Sequence, residues 1–354
     1  MKLFLTAFCF FAVFFYIRQN IDENTPINKI QVIGSHNSYK KAIDPALIKF
    51  LSRKDSTRYN WLDYEHTPLV DQLSMGLCNL EIDVYSDKKG GRFSHPKGLD
   101  WVKGQPEYDP KGEMMAPGFK VFHMIDIDFR SQCLTLKNGL QQLKVWSDAH
   151  PDHNPVFITI EPKDDVSENK EVTKPEPFTN ETFEALDREF LDYLGDEKII
   201  TPDKVRGKYA TLDEAVRHSS WPTLKQARGK FLFLLDNRDA KRAMYMKGHP
   251  SLKHRVLFTS ADVSTPEAAM MIINNPRDPQ IPQLVKQGYI IRTRADADTK
   301  QARTSDYSDF IAAQNSGAQI ITTDYYKKSN HFKSDYIIAF DGADKYFRVN
   351  PVIK

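Results

Sequence analysis

The hydrophobic pattern is a series of short β-rich runs separated by helical stripes or long polar stretches. The runs cover residues 30–33, 80–84, 119–122, 156–160, 231–235, 256–258, 289–291 and 319–321. Each is too short for a helix and most are bounded by turn residues, so each predicts a strand. Leu69 and Leu73 follow the start signal Thr67-Pro68 and precede Gly76. Leu136, Leu140 and Leu143 form a stripe before Pro151, and Phe183, Leu186, Phe190 and Leu194 form another that Gly195 stops. These are the spacings and punctuation of amphipathic helices. Thr265-Pro266 predicts a further helix toward Ile272 and Ile273, and shorter ones are predicted over 281–287 and 309–316.

Strands alternating with helices imply a parallel sheet. Eight of them in one chain of this size predict an α/β fold, a single-domain (β/α)8 TIM barrel over residues 27–354. The barrel is expected to be irregular, because residues 85–118 are rich in Gly and Pro and carry no helical stripe. A long loop or hairpin should replace a helix there. A doubly wound open sheet is the alternative, but it calls for a glycine-rich phosphate loop after the first strand. The chain reads Gly34-Ser35-His36-Asn37-Ser38 at that place.

Charge and composition narrow the class. Lys+Arg number 49 and Asp+Glu 47, for a net charge of +2. That balance lacks the basic bias of a nucleic-acid binder. Charged residues are 27% and hydrophobic ones 40%, which excludes both a disordered tail and a polytopic membrane protein. Met1-Lys2 precedes an apolar run over 3–17, the shape of a secretory signal, though shorter than the ~20 residues of a bilayer span. The bulky Phe14, Phe15 and Tyr16 leave no clean cleavage site, so residues 1–20 are read as a signal peptide or an N-terminal anchor of an exported protein. Cys9 lies within this run; Cys78 and Cys133 are expected to be free thiols. Asn180-Glu181-Thr182 is a glycosylation sequon, which matters only in a eukaryotic source.

In a (β/α)8 barrel the chemistry sits at the C-terminal ends of the strands. The first run leads into Ser35-His36-Asn37, the second reads Glu81-Ile82-Asp83, the third ends at His123 and the fourth at Glu161. Period-two alternation puts Glu81 and Asp83 on one face, away from Leu80, Ile82 and Val84, and Glu161 follows Thr159 inward. Inward carboxylates need a counter-charge. Asn37, Glu81, Asp83 and Glu161 are all oxygen donors, which suits a hard cation, Ca²⁺ before Mg²⁺. Zinc would draw in the imidazoles. His36 and His123 then remain for acid–base work near pH 7.

This ordered set resembles the catalytic X-region of calcium-dependent phosphoinositide-specific phospholipases C. Later segments extend the likeness over roughly residues 30–351: Trp221-Pro222-Thr223-Leu224, Arg292-Thr293-Arg294-Ala295-Asp296, and Thr322-Thr323-Asp324-Tyr325. The chain is most similar to the exported, single-domain branch. It has no separate pleckstrin, EF-hand or C2 module, and its fifth strand ends in Asp236-Asn237 where the large eukaryotic enzymes carry lysines. The resemblance implies cleavage of phosphatidylinositol-type phospholipid by a neighbouring hydroxyl, giving diacylglycerol and an inositol phosphate that is cyclic at first. It implies a calcium ion on Asn37, Glu81, Asp83 and Glu161, His36 stabilising charge on phosphorus, and His123 protonating the leaving oxygen. Glu81 or Glu161 would take the nucleophile's proton. Lys163, Arg292 and Arg294 would contact the phosphate or head group. The expected partner is a phospholipid surface, met by a monomer, with aromatic residues of 85–119 (Phe93, Trp101, Tyr108, Phe119) as candidate interfacial groups.

Two other functions fit parts of the pattern. A glycerophosphodiesterase or sphingomyelinase-D-like enzyme also joins a barrel, two histidines and a carboxylate-bound metal, but the former usually opens with His-Arg-Gly rather than His36-Asn37-Ser38. A barrel that binds Ca²⁺ and a head group without turnover would have no need of both histidines.

Overall fold

The short apolar runs do become strands, arranged around one axis. The computed structural model describes residues 21–168 and 171–353, so the predicted signal or anchor at 1–20 lies outside the described residues. Ten strands occur among these: β1 Ile30–Ser35, β2 Asn79–Asp87, β3 Gly118–Lys120, β4 Val156–Pro162, β5 Phe231–Leu235, β6 Phe258–Thr259, β7 Met270–Ile272, β8 Ile290–Arg294, β9 Ile320–Thr323 and β10 Phe347–Val349. Eight run parallel in the order β6-β5-β4-β2-β1-β9-β8-β7. A single bridge between Ser260 and Met270 brings β6 to β7, so the ring is a nearly closed (β/α)8 barrel.

The eighth ring strand is not the predicted one. The run at 119–122, expected as a barrel strand, supplies β3, which pairs antiparallel with the end of β2 (Tyr85 opposite Lys120, Asp87 opposite Gly118) and stands off the ring. Its place is taken by β7, in the segment where Thr265-Pro266 predicted a helix. Ala268, Ala269, Met270, Met271 and Ile272 are all buried. That segment pairs with β8 from Met270 to Ile272, and ring closure overrides its helical propensity.

As expected, no barrel helix fills residues 85–118; β2 and β3 form a long hairpin, with only a short α-helix at Gly98–Trp101 and its own apolar cluster. Tyr85, Phe93, Tyr108, Met114, Phe122 and Phe129 pack there with Leu47 and Leu51. Tyr85 stacks on Phe122 with ring centroids 4.3 Å apart. Phe93, Tyr108 and Phe119 are therefore core residues rather than free interfacial aromatics; Trp101 stays 38% exposed.

The outer helices follow their stripes. Leu136–Ala149 buries Leu136, Leu140 and Leu143, and Asn180–Leu194 buries Phe183, Leu186, Phe190 and Leu194. Thr135 and Thr179 cap these helices with their side-chain oxygens, each worth about 1 kcal/mol. On β2, Leu80, Ile82 and Val84 join this core, which fixes the opposite face of the strand toward the barrel axis. β1 and β2 meet at only one pair, Gly34 opposite Asn79. A Cβ on Gly34 would fall 2.3 Å from the Asn79 carbonyl oxygen, so only glycine allows this approach. Cys78 and Cys133 are buried free thiols, as expected, and burial pushes each up to about 12.

Candidate active site

His36 leaves β1 and is followed by Asn37, whose φ of 48° reverses the chain. The turn is pinned to β2 twice, by Ser38 N–H on the Glu81 carbonyl (2.9 Å) and by Glu81 N–H on Ser38 Oγ (2.7 Å). His36 Nδ1 lies 2.9 Å from Asp324 Oδ1, just past β9, and Nε2 lies 3.5 Å from Glu81 Oε1. Burial and the Arg294 charge lower the His36 pKa against the opposing pull of Asp324 and Glu81. Burial pushes Asp324 up, but His36, His66 and Arg294 hold it well below the carboxylate range. Its neighbour Asp296 is pushed up to about 7 by burial and by the Asp324 charge. Asp324 thus carries the negative charge of that pair.

His123 follows β3 and is held by the hairpin cluster rather than by a barrel strand. Phe122 beside it is buried, and Tyr85 Oη donates to the His123 carbonyl at 3.0 Å. Its ring Nδ1 lies 2.8 Å from Asp128 Oδ2. Both histidines therefore engage Nδ1 with a buried carboxylate, leaving Nε2 as the working nitrogen. Both line one cleft of about 440 Å³ together with Trp61, Tyr64, Arg294 and Asp324. A larger depression of about 730 Å³ over the ends of β5–β7 contains neither histidine. The two candidate acid–base imidazoles open into the smaller cleft.

The carboxylates converge as the alternation required. β2–β4 register sets Asp83 directly opposite Glu161, with Glu81 opposite Thr159. Like charges at opposite positions repel. Ligand oxygens of Glu81, Asp83 and Glu161 lie within 4.8 Å of one another, a span that a calcium–oxygen sphere of radius about 2.4 Å covers. Asp83 is completely buried, and its one charged partner among the described residues is Lys163, 3.3 Å from Oδ2. Burial raises its pKa far above the usual range, Lys163 opposes, and Glu161 and Glu81 add to the rise. Burial also pushes Glu81 up, but Arg292, His36 and Arg294 win and hold it low. Three carboxylates whose oxygens converge in an all-oxygen cluster fit a hard divalent cation. Asn37 stands next to it: its Oδ1 accepts from Tyr39 Oη at 3.3 Å, and the Asp83 charge, after burial, raises that phenol's pKa.

The predicted basic contacts divide. Arg294 lines the cleft, with Nη2 3.3 Å from His36 Nδ1. Arg292 does not serve as a free head-group contact. It is buried, bonded to Asn274 Oδ1 and ion-paired with Glu81 Oε2, so it is a counter-charge to the carboxylates. Lys163 does likewise, 3.3 Å from Asp83 Oδ2 and 3.1 Å from Glu161 Oε1. Sequence reasoning missed His66, whose Nε2 lies 2.7 Å from the His36 carbonyl, and the role of Asp324, Asp128, Lys40 and Tyr64. Only Asp324 had a signal, an acid straight after a strand.

An α/β barrel with clustered carboxylates and two carboxylate-held imidazoles at its mouth is the frame of a metal-dependent acid–base enzyme. The chain belongs to the family described as phosphoinositide phospholipase C, Ca2+-dependent, whose sequence pattern matches residues 25–351. Calcium is accordingly its cofactor, consistent with the oxygen donors in place. A calcium-dependent phosphoinositol-specific phospholipase C from a Pseudomonas sp. is similar in fold, with a TM-score of 0.53 at 16% identity over 87% of this chain and 94% of that one. The Ca2+-dependent phosphatidylinositol-specific phospholipase C of Streptomyces antibioticus gives 0.52 at 17% identity, over 85% and 95%. No curated protein matches the sequence significantly. Among the described residues no helix is long and apolar enough to cross a membrane.

Proposed function

We propose that this enzyme cleaves phosphatidylinositol-type phospholipid to diacylglycerol and an inositol phosphate, cyclic at first. The observation that carries the reading is the shared cleft: two imidazoles with Nδ1 fixed by separate buried carboxylates, beside a cluster of three carboxylates whose ligand oxygens converge. The inositol hydroxyl next to the phosphate attacks phosphorus, and the bond to the diacylglycerol oxygen breaks. The hydroxyl proton passes to Glu81 or Glu161. His123, as imidazolium, gives its Nε2 proton to the departing oxygen. His36 and Arg294 stabilise charge on the phosphorane oxygens. Glu81, Asp83 and Glu161, with Asn37 beside them, would hold the calcium ion, which supplies Lewis acidity and lowers the pKa of a nearby hydroxyl. Arg292 beside Glu81, and Lys163 between Asp83 and Glu161, supply counter-charge to the cluster.

The substrate is met at a lipid surface. Trp61, Trp101, Val166 and Val263 are exposed by 38%, 38%, 62% and 40%, on the connections that follow β1, β2, β4 and β6. All four stand on the barrel face that carries the site, and apolar and aromatic groups there favour an interface. Monomeric action and export, with residues 1–20 as signal or anchor, complete the proposal. Phosphorus NMR of phosphatidylinositol incubated with the enzyme, with and without a calcium chelator, tests it. A cyclic phosphodiester signal lost on chelation is the expected result. Choline, glycerol or ethanolamine phosphodiesters turned over in preference to phosphatidylinositol would overturn it.

A further inference from the structure

The buried lysine beneath the cleft is unexplained by the reaction so far. Lys40 is fully buried, and burying an ammonium costs several kcal/mol unless it is paired and hydrogen-bonded. Its Nζ lies 3.3 Å from Asp128 Oδ2, the same oxygen that stands 2.8 Å from His123 Nδ1. The ammonium also donates to the Tyr64 carbonyl at 2.8 Å and sits 4.7 Å from the centre of the Tyr64 ring. Tyr64 is a wall of the cleft, and its hydroxyl accepts from Asn37 Nδ2 at 2.9 Å. Asp128 is itself fixed by a closed loop, in which Met124 and Asp128 exchange both backbone hydrogen bonds at 3.0 Å.

We propose that Lys40 and Asp128 are positioning residues for His123, a buried charge pair that fixes the ring so that Nε2 delivers its proton into the cleft. The assignment rests on the reading of His123 as the acid. An Asp128 oxygen that accepts from Lys40 and His123 Nδ1 alike selects one tautomer of the neutral ring, with the proton on Nδ1 and the lone pair on Nε2. That is the form left after proton delivery and the form that must be reprotonated from the cleft side. Without Lys40 the shared Asp128 oxygen keeps only the imidazole, and the Tyr64 carbonyl loses its ammonium donor. Without the Asp128 charge the ring loses its orientation. Neither residue touches substrate, and the histidine acts for both.

Substrates that differ only in leaving group separate positioning of the acid from general damage. An aryl inositol phosphodiester departs without a proton, whereas the diacylglycerol alkoxide needs one. Lys40→Met and Asp128→Asn should each lose at least 10-fold in kcat on phosphatidylinositol, and less than 3-fold on the aryl ester. His123→Ala should show the same selectivity more strongly. Selective labelling of histidine ring nitrogens should give an Nδ1–H tautomer for His123 in the wild type and a mixture in Asp128→Asn. If His123→Ala is selective but Lys40→Met and Asp128→Asn slow both substrates equally with the tautomer unchanged, the positioning role is overturned. If His123→Ala itself shows no selectivity, the acid assignment fails instead. Lys40→Arg, which keeps the cation, should restore part of the selective loss; a variant as poor as Lys40→Met on both substrates would argue for packing alone.

Discussion

Replacing Asp83 by Asn removes one charge from the carboxylate cluster while keeping the side-chain shape, and its effect on stability should change sign with calcium. In the metal-free protein Asp83 faces Glu81 and Glu161, all with oxygens within 4.8 Å. In an effective dielectric of about 20, each like-charged pair at that separation costs about 3 kcal/mol. Against those two repulsions stands the Lys163 ammonium 3.3 Å away, which returns about 5 kcal/mol on the same scale. Lys163 keeps Glu161 at 3.1 Å, so the substitution leaves no orphaned cation. Asp83→Asn should therefore leave the chelated protein as stable as the wild type, or more stable by up to about 2 kcal/mol, the lower bound applying where burial already keeps Asp83 protonated. With calcium at about 100 times its dissociation constant, the wild type should gain about 2.7 kcal/mol, a melting shift of roughly 4 °C for a chain of this length. The variant should lose most of that shift. Thermal melts of both proteins in chelator and across a calcium series, with calorimetric titration alongside, give the full comparison. A variant that keeps the whole calcium shift, or that melts several degrees below the wild type in chelator, would falsify the assignment of Asp83 as a calcium ligand.

Three further outcomes follow from the same geometry. His36→Ala and His123→Ala should each keep the fold and lose about 10²–10⁴ in rate, with an aryl leaving group rescuing the His123 variant alone; equal rescue of both would show the two roles to be misassigned. Trp101→Ala, at an exposed site 6.5 Å from the Phe50 ring, should slow hydrolysis on vesicles several-fold and leave a soluble short-chain substrate unaffected; equal losses would make it a lid. His153 lies far from the cleft and its pKa is lowered to about 4, first by burial and then by the charges of Lys198, His150 and Arg228, against a backbone hydrogen bond to Asn154. Its folded value is below its unfolded one, so its contribution is present above pH 6.5 and lost as pH falls through 4. The full window is worth about 3 kcal/mol at most, and denaturant melts of His153→Gln should show an acid slope shallower by that order; an unchanged slope would exclude His153 as a source of acid lability.

The primary structure by itself determined what depends on near neighbours in the chain. Alternation along β2 placed Glu81 and Asp83 on the face opposite Leu80, Ile82 and Val84, and the helical stripes at 136–149 and 180–194 carried their own caps and stops. His36 at the end of β1 and the convergence of Glu81, Asp83 and Glu161 were legible for the same reason, whereas His123 was expected on a ring strand and stands past the hairpin arm instead. Tertiary structure decided what depends on closure and on distant partners. A run such as 119–122 has the local signature of any strand, and only the ring's geometry makes it a hairpin arm while Met270–Ile272 completes the barrel. Arg292 looked like a head-group contact until β8 was set beside the Glu81 carboxylate, where the nearest opposite charge captures it. Lys40, Asp128 and His123 are separated along the chain yet share one carboxylate oxygen, because a hairpin with its own hydrophobic cluster folds over the barrel mouth. Sequence spacing carries no record of such contacts, since a buried charge finds its partner through the packing of the whole fold.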